Sequence, residues 1–202
     1  MSQDISQQKH WLSAWKIFYE PEIELEKDDP NAVCVSSVDS AGMPNSRIVL
    51  LKEVTEAGFL FYTNLKSQKG IELFANSKGA LTWFSRKQNK QVRVQGSVSQ
   101  VADSKADVYW ASRDVDAKVS ASISKQSEIV SSRSQLEKEW NEFKIKFEGK
   151  EITRPSHWSG ICIKPERVEF WEAVPGKYTA RLHNRILFKL DGDQWRVERL
   201  YP

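Results

Sequence analysis

Arg47 and Lys52 flank the centre of SRIVLLKEV, residues 46–54, and enclose Ile48, Val49, Leu50 and Leu51. So apolar a centre reads as a buried strand. Side chains alternate across a strand, so two cations five residues apart point to opposite faces. Two readings fit them: snorkelling ends of a strand, or one anion held on each face. A second candidate is FYTNLKSQKGIE, where Tyr62 and Thr63 end a strand and a helix begins near Ser67. Free N–H groups and the macrodipole at a helix start attract negative charge, and Lys69 in the first turn adds to that. Tyr109 and Arg113, four apart in DVYWASRD, share a helix face, and a phenol with a guanidinium suits a phosphate or carboxylate. Gln126 and Ser127 follow Lys125 in a run of hydrogen-bonding types that serves equally as a loop or a cap. In RLHNR, Arg181, His183 and Arg185 share one face if the segment is extended, and that face needs an anion or water. Taken singly, each group also fits a solvated surface. Together they describe a basic, phosphate-seeking cleft without a metal cluster or a nucleophilic triad.

The elements that must position these groups follow from the pattern. The 202 residues suit one domain, with residues 1–30 as an N-terminal helix and linker and 185–202 as a C-terminal hairpin belonging to the barrel. WLSAWKIFYE, 11–20, is a helix that Pro21 ends. Strands follow at 31–39, 46–54, 59–64, 80–86, 91–101 and 161–174, with a hairpin over Asp191-Gly192-Asp193. Helices fall at 67–77, 103–112, 117–129 and 133–148, and RPSHWSG, 154–160, is a loop. About seven short strands interrupted by a helical insert predict a mainly β protein with added helices, an antiparallel barrel closed or nearly so. No glycine loop that cradles phosphate appears, so side chains must hold any nucleotide.

The net charge is +3, with 40% hydrophobic and 28% charged residues. That balance is globular, and the scattered cations exclude a general nucleic-acid stripe. No apolar stretch is long enough to span a bilayer. Cys34 and Cys162 lie in strand-like runs and read as buried free thiols of a reducing cytoplasm. Eight tryptophans place some of them in an interface or a ligand site.

RIVLLK, FYTN with QK four residues on, QVRVQG, the Tyr109/Arg113 pair, SKQS, RPSHWSG, VEFW, RLHNR and the terminal WRVERLYP occur in the order seen in the pyridoxamine 5′-phosphate oxidase family. The resemblance runs from about residue 30 to the end. It implies an FMN-binding split β-barrel, a homodimer with FMN at the subunit interface. It also implies oxidation of pyridoxine or pyridoxamine 5′-phosphate to pyridoxal 5′-phosphate, with O2 reduced to hydrogen peroxide. Carried over, Arg47 contacts FMN phosphate and Lys52 the substrate phosphate. Ile48, Val49, Leu50 and Leu51 line the flavin, and Tyr62, Thr63, Lys69, Gln91, Gln126, Ser127, Trp171 and Arg185 match further FMN contacts. Tyr109 and Arg113 grip the substrate phosphate. Arg181 and His183 cover the substrate ring and form the catalytic pair. The sequence also departs from the family. Gln68 occupies a cofactor position that is usually arginine, Ala117 one that is usually serine, and DVDAKVSASIS follows Arg113.

Overall fold

The computed structural model describes residues 4–174 and 182–202. Helix α1 (Trp11–Leu25) precedes strands β1 (Ala32–Val38), β2 (Pro44–Thr55) and β3 (Gly58–Asn64). Helix α2 (Gln68–Asn76), strands β4 (Lys78–Ser85) and β5 (Lys90–Gln100), and helices α3 (Asp103–Ala111), α4 (Val115–Ile123) and α5 (Arg133–Lys146) follow. The long strand β6 (Trp158–Glu172) and the hairpin β7 (Asn184–Asp191) and β8 (Gln194–Arg199) complete the chain. All pairings are antiparallel in the order β3-β2-β1-β4-β5-β6-β7-β8, and β3 also pairs with β6. Six strands therefore close into a barrel, and β7 and β8 extend the sheet beyond β6. This is the α+β barrel the strand pattern predicted, with one strand more than counted.

Period-2 alternation builds the core. One register row joins Arg47, Val35, Leu81, Val94, Val168 and Phe188 across consecutive strands, and its five apolar members are buried inside the barrel. Helix α1 plugs one end. Its Trp11 and Trp15 pack on Phe59, and Phe18 packs on Phe170. The helix runs four residues past the stop expected at Pro21. It does so because Glu22, one residue on, is buried and satisfied from the barrel: Ser85 Oγ donates at 2.6 Å and Gln88 Nε2 at 2.8 Å. Burying this wall offsets the one hydrogen bond Pro21 cannot donate.

Two departures matter for the site. Helix α4 starts two residues earlier and ends six residues sooner than the pattern predicted, because Asp114 caps it through Ala117 N–H at 2.7 Å. The segment after Ile123 then leaves the helix and docks on the barrel. The tryptophans are also more structural than expected: Trp11, Trp15, Trp83, Trp110 and Trp158 are all buried. No helix among the described residues is long and apolar enough to cross a membrane.

Candidate functional site

Strands β2 and β3 begin as neighbours and then part. They pair from Leu51 to Thr55, with a register break between Leu51 and Glu53 that leaves Lys52 without an opposite residue. Such a bulge bends the strand and turns its side chains. Beyond it, residues 44–50 of β2 pair only with β1 among the described residues, while the end of β3 pairs with β6. The barrel is therefore split here. Leu51 directs its N–H to Asn31 O at 2.9 Å and accepts from Asn31 Nδ2, both on the β1 side. Antiparallel alternation then turns the N–H and C=O groups of Ser46, Ile48 and Leu50 towards the open edge.

A cavity of about 670 Å³ fills the split. Arg47, Ile48, Val49, Leu50 and Lys52 line it from β2, and Tyr62 and Thr63 from β3. Gln68 and Lys69 border it from α2, Tyr109 and Arg113 from the end of α3, and Gln126 and Ser127 from the docked segment. Alternation had set Arg47 and Lys52 on separate faces with separate anions. Both reach one cavity because it lies along a free strand edge, where the two faces meet. Leu51 turns into the core instead and is 4% exposed.

The two cations at the α2 end are held differently. Lys69 is 8% exposed, and its ammonium donates to Thr63 Oγ1 at 3.0 Å, Ser67 Oγ at 3.2 Å and Gln126 Oε1 at 2.9 Å. All three acceptors are neutral. Burial, and then the charge of Arg47, push its pKa down to about 8. Arg47 donates to Ser37 Oγ at 2.6 Å and lies 3.6 Å from Glu72, whose carboxylate also accepts from Asn45 Nδ2 at 2.9 Å. Gly70 allows this packing: a Cβ there would lie 2.3 Å from Leu65 O, so only glycine lets the first turn of α2 press against that carbonyl. Ser67 caps the helix, and Gln68 N–H donates to Ser127 Oγ at 3.2 Å.

At the other side, Tyr62 stacks on Tyr109 at 4.0 Å between ring centroids and on Trp158 at 5.2 Å. Arg113 lies over Trp158, donates through Nη2 to Ala117 O at 3.2 Å, and leaves its buried Nε without a partner. An unpaired buried guanidinium donor is costly and points to an anion supplied from outside. Lys69 and Arg113 have no acidic partner among the described residues.

The remaining candidates lie elsewhere. Gln91, Trp171 and Arg185 form one register row across β5, β6 and β7. His183 packs against Trp171 at 4.8 Å, and its Nδ1 has no partner among the described residues. Arg185 is anchored by Glu169 through Nη2 at 2.7 Å and by Tyr201 O through Nη1 at 2.9 Å. In the six-strand cycle β5 is three strands from β2 in either direction, so this row occupies the wall opposite the cavity. Arg181 lies outside the described residues.

Three contributors escaped the sequence reading. Asn64 ties the docked segment down through Ser124 O at 2.9 Å. Glu72 sits one helical turn from Lys69, a spacing that put it on the same face. Trp158, in RPSHWSG, read as a loop residue and instead opens β6.

Fold and cavity together define a split barrel with a cleft lined by four cations, Arg47, Lys52, Lys69 and Arg113, and known proteins share both sequence and shape with it. The family described as Pyridoxamine 5′-phosphate oxidase matches residues 19–147, and the Pyridoxine 5′-phosphate oxidase C-terminal dimerisation region matches residues 158–202. A pyridoxine/pyridoxamine 5′-phosphate oxidase of Trichormus variabilis is 39% identical over 189 residues, which cover 93% of this chain and 86% of that protein. One of Brucella anthropi is 45% identical over 180 residues, with coverages of 88% and 86%. Among solved structures, PhzG from Burkholderia lata 383, in complex with tetrahydrophenazine-1-carboxylic acid, has a TM-score of 0.92 at 24% identity and covers 100% of this chain and 98% of its own. A pyridoxamine 5′-phosphate oxidase-related, FMN binding protein from Nostoc punctiforme has a TM-score of 0.74 at 15% identity, with coverages of 98% and 100%. At such identities the structures establish the split-barrel fold. The chain belongs to the pyridoxamine 5′-phosphate oxidase family.

Proposed function

We propose that this protein is an FMN-dependent oxidase that converts pyridoxamine or pyridoxine 5′-phosphate to pyridoxal 5′-phosphate, with O2 as acceptor and hydrogen peroxide as product, water being consumed and ammonia released when the amine is the substrate. The observation that carries this is one cavity lined by two groups of cations, Arg47 with Lys69 and Lys52 with Arg113, around an open strand edge. Arg47 and Lys69, with Thr63, Gln126 and Ser127, would hold the FMN phosphate. The outward N–H and C=O groups of Ser46, Ile48 and Leu50 would pair with the rim of the flavin ring. Lys52, Tyr109 and the unpartnered Nε of Arg113 would take the substrate phosphate. Bound there, FMN supplies the two-electron acceptor, and the protein supplies placement. Fixing both phosphates sets the substrate's reacting carbon against the flavin and removes most of its rotational freedom. His183 and Arg181 would cover the ring from the other side.

Gln91, Trp171, His183 and Arg185 reach such a site only from a second copy, since in their own chain they line the far wall. The match of residues 158–202 to a dimerisation region supports a homodimer in which each site takes one wall from each subunit. A cytoplasmic location accompanies this reading, with Cys34 and Cys162 as half-buried free thiols.

A second reading keeps the flavin and changes the ring substrate. It rests on the start of α4, where Ala117 offers no hydroxyl and its carbonyl already takes Arg113 Nη2. One experiment separates the two. The purified protein with FMN is mixed with pyridoxine 5′-phosphate without oxygen, and the visible spectrum is followed. Bleaching, reversed on admitting air, is the expected result. Bound flavin that never bleaches would reject the proposed substrate.

The Lys69 environment gives a pH dependence. In the unliganded protein Lys69 loses its proton near pH 8, and only the protonated form attracts phosphate. A phosphate monoester becomes a dianion above about pH 6. FMN affinity should be highest between roughly pH 6 and 8 and weaken by about tenfold per unit above that, until the pKa of the phosphate-bound lysine is passed. Fluorescence titration of the apoprotein with FMN at pH 7, 8 and 9 measures this. A flat profile would mean that Lys69 does not carry the phosphate charge.

A further inference from the structure

We propose that Trp158 is the positioning residue of the substrate-anion subsite, setting both Tyr109 and Arg113 through its indole face; this rests on the function proposed above. Among the described residues no carboxylate orients either ligand. The Arg113 guanidinium lies 4.9 Å from the centre of the Trp158 ring and 5.8 Å from that of Trp110, and its single hydrogen bond among the described residues is the one to Ala117 O. A cation over an indole face is drawn to the negative side of the ring quadrupole, so the ring fixes its height while leaving its edge donors free. The edge donor left free is Nε. Tyr109 is set by the same platform: its ring is within 3° of parallel to Trp158, and Tyr62 stacks on both.

Trp158 cannot itself meet the substrate, because it is 4% exposed. It is held firmly. Trp110 meets it edge-on at 4.9 Å, and Trp110 Nε1 is anchored on Ile152 O at 2.7 Å. The carbonyl of Trp158 accepts from Arg154 Nη1 at 2.8 Å, while Arg154 pairs with Asp103 and Asp107 at the start of α3. One arginine therefore ties the backbone of Trp158 to the helix whose far end carries the two ligands. The arrangement gives a phosphate monoester two donors and a positive charge that no acid among the described residues neutralises.

The test measures the Kd of pyridoxal 5′-phosphate on FMN-loaded protein, together with KM, kcat and the Kd of FMN, for the parent, Trp158→Phe and Trp158→Leu. Leucine keeps an apolar filling and removes the aromatic face. It should raise both the pyridoxal 5′-phosphate Kd and KM by about tenfold, while kcat and the FMN Kd stay within about twofold; phenylalanine should restore most of the loss. In an Arg113→Met background the effect of Trp158→Leu should shrink to that of Tyr109 alone, which a double-mutant cycle reads directly. Equal ligand binding by all three proteins, or a loss in kcat and FMN binding with KM unchanged, would overturn the positioning role. If Trp158→Leu fails to fold, a Trp158→Met protein whose ligand Kd and KM equal those of Trp158→Phe and the parent would overturn it as well. Absence of pyridoxal 5′-phosphate binding in the parent would instead reject the proposed function, and the inference with it.

Discussion

A Lys69→Met protein is expected to fold at least as firmly as the parent and to lose its FMN. Lys69 is a cation buried among three neutral acceptors, which stabilise it less than a carboxylate would. Its pKa is depressed to about 8, so at neutral pH the folded state carries a charge it disfavours, and that penalty fades as the pH rises from 8 towards the ordinary lysine value of 10.5. Methionine has a similar length and no charge. The unliganded protein should gain about 1–2 kcal/mol at pH 7, less the cost of the three acceptors left behind, and the gain should vanish towards pH 10. Binding moves the other way. Gln68 supplies no second cation at this helix start, and Arg47 is partly neutralised by Glu72. Losing the remaining charge-assisted contact should weaken FMN by about 100-fold or more. Thermal melts of the apoprotein and FMN titrations measure the two halves separately. A destabilised apoprotein would show that Lys69 belongs to the scaffold, and unchanged FMN affinity would remove it from the cofactor site.

That trade between stability and binding shows why part of the site could be read from sequence. A lysine in the first turn of a capped helix after an apolar strand signals an anion, because nothing in the fold needs a charge there. The Tyr109/Arg113 spacing is legible for the same reason, as both sit on one helix face. Strand periodicity located the barrel strands. What it missed are events between elements. The parting of β2 from β3 depends on a one-residue bulge at Lys52, and a bulge leaves no mark in an alternating pattern. Without it, Arg47 and Lys52 belong to different faces. Helix α1 crosses Pro21 because Ser85 and Gln88 wait for Glu22 on the barrel, more than sixty residues away in sequence. Trp158 looked like loop filler because its partners Arg113 and Tyr109 lie more than forty residues upstream. That the candidate residues fall on opposite walls follows from the order of strands around the barrel, which no local motif encodes.

Those opposite walls give the second large effect. If each site joins the cavity of one subunit to the Trp171 row of its partner, two inactive proteins should rescue each other. Lys69→Met disables the cavity wall. Trp171→Leu with His183→Leu disables the far wall and leaves the Arg185–Glu169 ion pair intact. In a mixed dimer, one site combines both damaged walls and the other combines two sound ones. Random assortment makes half the dimers mixed, so co-expression should yield about a quarter of the parent activity from parents that each have nearly none. Purified mixed dimers, isolated through two different tags, should bind about one FMN per dimer. If each subunit instead built its site alone, every mixed dimer would contain one damaged wall per site, and no activity would return. If the far wall served only to hold the hairpin, the Trp171→Leu/His183→Leu protein alone would keep its activity, and so would the mixture. The two parent measurements and the mixture therefore determine together which walls form the site.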